Sequence, residues 1–373
     1  MLDKFVCKKE ACCGCNACVN ICPKQCIELK DDIINTYAKI NEKECIKCNL
    51  CYKVCQENND SSNLITFKKY IDCKEGFSLN ENIKMKSSSG GFATALGINF
   101  IKKLDGFVVG VKNDKDKFYF DVTNDIDEVY KFSGSKYTKI SMGNIFLKVK
   151  KLLIDGKNVL FFGTPCQIAA IKLFVMKPFN NLYTVDLICH GTPSTKILEN
   201  YLHEKNVDTQ KNLSFRKKRK NKIVFSLQND KGSVCGKNIM DPYTIGFLKG
   251  LFYTDNCYWC KFARQDRISD ITIGDSWGSK KVETPMSLII QSTQKSYTLM
   301  SLLDEDFKVY NCDFQNAIEN NKQLKTPSEK PMERELFFLE YNSKNLTKII
   351  KKIYPKVYYK QQIKKILVFL HLK

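Results

Sequence analysis

Apolar positions fall into three regimes along this chain of 373 residues. Up to about residue 60 apolar runs are short and cysteines are dense. From about 61 to 330 strand and helix patterns mix, and from about 331 apolar residues recur at helical spacing among lysines. The polar stretch 56–63 (QENNDSSN) marks the first boundary. The pattern predicts units at 1–60, 61–330 and 331–373. In the middle unit, 106–111 (GFVVGV) predicts a buried strand, and the alternating 117–122 (KFYFDV) a strand able to pair with it. Residues 142–154 have helical spacing. A theme then repeats. The apolar strand 158–162 leads through Gly163-Thr164-Pro165-Cys166 into a helix; the strand 181–188 leads through Cys189-His190-Gly191-Thr192-Pro193 into another. In each copy threonine predicts the N-cap and proline the first helical position. Such βα units put their loops at one end of a sheet, where ligands bind. In the last unit Ile349, Ile353 and Val357, then Ile363, Ile366, Leu367 and Leu370, fall at helical spacing, with Pro355 dividing two helices.

Composition changes the picture. Eighteen cysteines stand against three histidines (His190, His203, His371), so a histidine-rich metal site is disfavoured. No signal-peptide core and no apolar stretch of about 20 residues is seen. The expectation is a cytoplasmic protein whose cysteines serve metal or redox chemistry.

Cys12, Cys15, Cys18 and Cys22 are spaced C-x2-C-x2-C-x3-C, followed by Pro23. Cys45, Cys48, Cys51 and Cys55 repeat the spacing, with Gln56 in place of proline. This is the bacterial ferredoxin run, twice. Three close cysteines wrap one cluster and the fourth ligates the other. The expected sets are Cys12, Cys15, Cys18 with Cys55, and Cys45, Cys48, Cys51 with Cys22. Structural zinc, the alternative, needs two CxxC pairs rather than two runs of four. Cys7, Cys13 and Cys26 fall outside the pattern and read as packing or spare thiols; Gln56 carries no evident role.

Cys257-Tyr-Trp-Cys260 is a lone CxxC. With Cys166 and Cys189 on neighbouring βα loops it offers a third tetrathiolate site; zinc and unliganded thiols remain alternatives. Cys166 falls in a helical first turn, which favours the thiolate. The segments GTPCQIAAIK (163–172), DLICHGTPS (186–194) and CYWCKFARQDRISDITIGDSWG (257–278) resemble the beta subunit of coenzyme F420-reducing hydrogenase and F420-dependent dehydrogenase, over about residues 80–330. The resemblance implies FAD plus one [4Fe-4S] cluster, falling on Cys166, Cys189, Cys257 and Cys260. It also accommodates an N-terminal two-cluster module. The wider family includes chlorophyll-pathway reductases and proteins of unknown substrate in bacterial polysaccharide clusters.

Ser87, Ser88, Ser89, Gly90 and Gly91 precede an apolar helix and read alone as a capped loop or a phosphate cradle. The resemblance implies flavin contact there. It implies the same for Ser135, Lys136 and Tyr137, with Lys136 beside the reduced ring. The turn 274–278 (GDSWG) reads as a buried Trp with a capping Asp, or as a neighbour of cluster or flavin. Lys261 and Arg264 offset a cluster or are solvated. Cys73, Cys235 and Cys312 match no motif and read as packing residues.

The formal charge is +20, held largely in two segments: 211–222, with seven basic residues, and 344–373, with nine lysines, neither containing an acid. The first predicts a hairpin or strand end that is solvated or recognises an anionic partner or phosphate-bearing substrate. No nucleic-acid-binding motif accompanies it. The tail predicts a core cap or contact with an anionic membrane surface.

The expected fold class is α+β: a small bacterial-ferredoxin-like domain, a mixed α/β flavin-binding core and a helical C-terminal tail. The expected function is an iron–sulfur flavoprotein oxidoreductase. Electrons pass from ferredoxin or another low-potential donor through three [4Fe-4S] clusters to FAD and a small-molecule substrate, with glycan precursors among the implied classes. The alternatives are a coenzyme F420 oxidoreductase subunit and a pure electron-transfer subunit. The expected location is cytoplasmic, or peripheral at the inner membrane face. No catalytic acid or base stands out.

Overall fold

The computed structural model describes residues 4–59, 62–207, 209–219, 222–236, 239–279, 284–303, 305–341 and 345–370. Lys220 and Asn221 of the basic segment, His371 and the last two residues of the tail lie outside them. The N-terminal unit has strands β1 (Lys4–Phe5), β2 (Ile27–Asp31) and β3 (Thr36–Ile40) in the order β1-β3-β2, with short helices α1 (Ala17–Ile21) and α2 (Leu50–Lys53). Each helix starts just after an asparagine in the left-handed conformation, Asn16 or Asn49, which short polar side chains tolerate. These turns fold each CxxCxxC run back on itself.

The core is an eight-stranded mixed sheet. Its strands are β4 (Asp72–Ser78), β5 (Phe107–Lys112), β6 (Tyr119–Thr123), β7 (Val159–Gly163), β8 (Leu182–Leu187), β12 (Ile271–Asp275), β13 (Ser287–Gln291) and β14 (Phe307–Asn311), in the order β14-β4-β13-β12-β8-β7-β5-β6. The intervening numbers belong to a separate small sheet of β9 (Ser214–Arg219), β10 (Lys222–Asn229) and β11 (Gly232–Ser233). The pairings β5–β7, β7–β8 and β8–β12 are parallel; β13, β14 and β6 run the other way. The architecture is α+β, and β6 pairs antiparallel with β5 as its alternation predicts.

Period-two alternation divides the core between two faces. Val108, Leu160, Val185 and Ile271 pack on one face with the helix Phe92–Leu104, whereas Val109, Val159 and Phe161 pack on the other with Ile145–Ile154 and Pro165–Phe174. That second face also receives the N-terminal unit: Ala17 and Val54, both fully buried, join its apolar cluster.

Polar contacts reinforce this docking. Ser194 Oγ donates to Asp31 at 2.8 Å, Asn35 Nδ2 to Asp255 Oδ2 at 2.8 Å, and Lys261 Nζ to the Gln56 carbonyl at 2.6 Å. Pro355 separates two helices as expected, Leu346–Ile353 and Pro355–Phe369. The first is a core element, with Leu346, Ile349 and Ile350 buried; the second leaves Ile363, Ile366 and Leu370 exposed. Among the described residues no helix is long and apolar enough to cross a membrane.

Candidate functional site

The fourth cysteine of each N-terminal run crosses to the other run's site. One cavity is lined by Cys12, Cys15, Cys18 and Cys55, the other by Cys22, Cys45, Cys48 and Cys51. These are the two sets expected from the spacing. The first cavity also holds Cys7 and Cys13, and the second Cys26. Cys7 hydrogen-bonds Cys12 and Cys55, and its S–H is the main reason the Cys12 thiol is held at about 6. Cys26 Sγ lies 3.5 Å from Cys22 Sγ. Cys7 and Cys26 thus each contact a cysteine of the expected sets.

The third set assembles at the carboxyl edge of the parallel strands. Cys166 follows β7 in the first turn of Pro165–Phe174, which carries the expected Thr164 cap: Thr164 N donates to Gln167 Oε1 at 2.9 Å. Cys189 follows β8. The second copy of the theme departs from expectation. Its helix begins at Thr195 with Ser194 as N-cap, whose side chain accepts from Lys196 N; Thr192 and Pro193 are not its cap and first residue. They pair instead with the chain before the CxxC: Pro193 bridges Tyr253, and Thr254 N donates to Thr192 O. Gly191 makes this possible. Its φ is +138°, and a Cβ there would lie 2.4 Å from the Tyr253 ring. The pairing lays Cys257 and Cys260 beside Cys166 and Cys189, close enough for their charges to act on one another. Thr192 N points at Cys257 Sγ at 3.4 Å.

The donor chemistry fits iron–sulfur clusters: three sets of four soft thiol donors. Among the described residues, no three Cys, His, Asp or Glu side chains converge on a single-ion site. One expectation is corrected. The helix start does not lower the Cys166 thiol; contact with Cys13, then burial, pushes it well up.

Cys13 is the residue that sequence reading missed most clearly. Its side chain contacts both Cys15 and Cys166, so it stands where the N-terminal and core sets meet. Gln56, also passed over, donates from Nε2 to Cys13 Sγ at 2.8 Å. Lys261 pairs with Glu57 at 3.6 Å, and Arg264 lies over the Phe67 ring and pairs with Asp266. Cys73 on β4 touches Cys312, just past the end of β14, and Cys235 contacts the Tyr201 hydroxyl at 3.2 Å.

The two segments expected at a flavin come together. Ser135 N donates to Ser88 Oγ at 2.7 Å, and Thr94 and Ser133 hydroxyls lie 2.9 Å apart. The loop's other hydroxyls are committed: Ser87 Oγ donates to Ile83 O and Ser89 Oγ to Met286 O. Gly90 answers to packing, since a Cβ there would lie 2.1 Å from Gly76 O and 2.4 Å from Ser287 N. Gly91, with φ +92°, starts the helix Phe92–Leu104. Among the described residues Lys136 Nζ donates to the carbonyls of Phe132 and Ser133, and burial pushes it down to about 7. The Tyr137 ring stacks on Phe247 at 4.3 Å.

Two residues of the basic segment reach the same place. Arg216 and Lys218 alternate on β9 and share a face. Lys218 Nζ donates to Lys84 O at 2.8 Å and to Ser89 O, and burial pushes it down to about 8. Arg216 donates to the Tyr137 hydroxyl and pairs with Asp275 at 2.8 Å. This part of the segment is not a solvated face. Asp275 is thereby an ion-pair partner and not a cap, and Trp277 is 38% exposed, not buried. Lys136 and Lys218, neither of which has a carboxylate partner among the described residues, leave cationic charge beside this loop that an anionic group would complement.

No curated protein matches the chain. A solved chain of the F420-reducing nickel–iron hydrogenase complex from Methanosarcina barkeri is similar in fold. It has a TM-score of 0.50 and 17% identity, over 72% of this chain and 98% of that one. Residues 156–313 match the family described as the C terminus of the coenzyme F420 hydrogenase/dehydrogenase beta subunit. That stretch, which carries Cys166, Cys189, Cys257 and Cys260, is therefore similar to the coenzyme F420 hydrogenase/dehydrogenase beta subunit.

Proposed function

We propose that the chain is an iron–sulfur flavoprotein oxidoreductase with three [4Fe-4S] clusters and FAD. Cys12, Cys15, Cys18 and Cys55 would hold one cluster, Cys45, Cys48, Cys51 and Cys22 a second, and Cys166, Cys189, Cys257 and Cys260 the third. Residues 87–91 and 133–137, with Lys218, would hold FAD. Such clusters carry single electrons, and FAD converts them to a hydride equivalent. The observation that carries the reading is the meeting of four distant cysteines at the carboxyl edge of the sheet, with Cys13 against Cys166. Ferredoxin or another low-potential protein is the proposed donor. The substrate is a small molecule, with glycan precursors among the classes that the resemblance brings.

A second reading, a subunit that reduces or oxidises coenzyme F420, is favoured by the family match. Anaerobic purification with identification of bound chromophores and metals tests both. FAD with iron and sulfide supports the first, and co-purifying deazaflavin moves the assignment to the second. Zinc without sulfide overturns both.

A further inference from the structure

Lys139 is a buried lysine, 8% exposed, with no carboxylate within 4 Å of its Nζ among the described residues. Its Nζ donates to two neutral oxygens: the Cys13 carbonyl at 3.2 Å and Thr254 Oγ1 at 3.0 Å. An unpaired buried charge is strongly unfavourable, so its placement calls for an anion.

The surroundings supply two candidates. The Cys13 carbonyl belongs to the residue after Cys12. Thr254 Oγ1 lies 3.6 Å from Cys257 Sγ. Lys139 acts electrostatically on Cys12 in the N-terminal set and on Cys166 in the core set. Its backbone is pinned by Lys139 N donating to Pro193 O at 2.9 Å, in the same loop that positions Cys257. Cys13 is clamped alongside, with Gln56 on its sulfur and Lys261 on the Gln56 carbonyl.

We propose that Lys139 is the shared counter-charge of two iron–sulfur centres, placed where the Cys12 set meets the Cys166 set, with Cys13 as the contact that joins them. The inference rests on the proposed function, because a tetrathiolate cluster carries the negative charge that Lys139 lacks. That charge grows when the cluster takes up an electron, so one buried cation favours the reduced form at both centres. No bond is made or broken and no proton is moved by Lys139; it is a positioning residue.

The test is an EPR-monitored redox titration of the full chain, purified anaerobically, with dithionite as reductant. Iron content and the number of signals in the wild type test the proposed function separately. Cys48→Ser identifies the signal of the outer set, Cys22, Cys45, Cys48 and Cys51. Lys139→Gln keeps a hydrogen-bond donor but removes the charge. The expected result is that two signals move to lower potential, with the oxidised-to-reduced ratio at fixed poise rising about tenfold, or about 59 mV for one electron. The outer signal stays put, and Lys139→Arg restores both. If wild-type signals are present and Lys139→Gln shifts only one or neither, the inference is overturned. If Lys139→Gln loses both clusters while Lys139→Arg keeps them, the counter-charge stands. Loss in both variants makes Lys139 a packing strut and overturns it.

Discussion

Arg216 Nη1 sits between the two carboxylate oxygens of Asp275, at 2.9 and 2.8 Å, joining the small sheet to the end of β12. Both side chains are 13% exposed. Removing one partner strands a buried charge, at a cost of about 3–5 kcal/mol. Asp275→Asn and Arg216→Met should each destabilise the protein on that order in urea melts, and the double variant should cost less than their sum. Additive costs would mean that solvent already screens the pair.

Lys136 predicts a pH dependence. With its ammonium pushed down to about 7, the folded protein binds fewer protons there than the unfolded chain, whose lysine titrates near 10.5. Its contribution to stability therefore rises with pH from about 7 to about 10 and is flat below 7. A bound anion reverses the preference. FAD affinity should fall as pH rises above about 7, by up to tenfold per unit. Equilibrium dialysis of Lys136→Met across pH 6–9 should lose this slope; a slope unchanged from wild type removes Lys136 from the anion site.

Metal content follows from the three cysteine sets. The full chain should hold about twelve irons and twelve sulfides. Cys257→Ser combined with Cys260→Ser should lose about four of each and keep the signals of the N-terminal sets. Undiminished iron would show that the core set binds none.

Gly90→Ala should destabilise the protein by about 1–3 kcal/mol, because its new methyl meets backbone atoms of two strands that have little room to give. Gly134, with open space around it, should tolerate alanine better, at the cost of its φ of +87° alone. Equal melting shifts for the two would argue that the strands give way easily.

Ile363 and Ile366 are 59% and 58% exposed on the last helix. Changing both to serine should leave the melting temperature within about 2 °C, since exposed positions contribute little. If this helix contacts an anionic surface, the same change should abolish co-sedimentation with phosphatidylserine vesicles. A large fall in melting temperature would instead place the helix in the core.

Local rules were readable where short-range chemistry dominates. Cysteine spacing named the lining of both N-terminal cavities, because the C-x2-C-x2-C-x3-C spacing groups three near cysteines and sends the fourth across. The Thr164 cap and the break at Pro355 followed from single residues. What escaped was set by distant packing. Thr192 and Pro193 read as a helix start, but the Tyr253 strand draws them toward the CxxC. Arg216 and Lys218 read as solvated charge, since alternation on β9 does not say which face is covered. Cys13 and Lys139 gave no signal, because their importance depends on how the N-terminal unit docks.

That docking has a mechanical consequence. A carrier arm that swings between partners needs a hinge and a wet interface, and this junction has neither character. Swinging out would expose Ala17 and Val54 and break the Ser194–Asp31 and Asn35–Asp255 contacts together. The N-terminal unit is therefore a fixed extension of the core, and the donor of the proposed function would have to come to it. Among the described cysteines only Cys48 is exposed, so the outer cavity that it lines marks the face where such a partner would find the shortest approach.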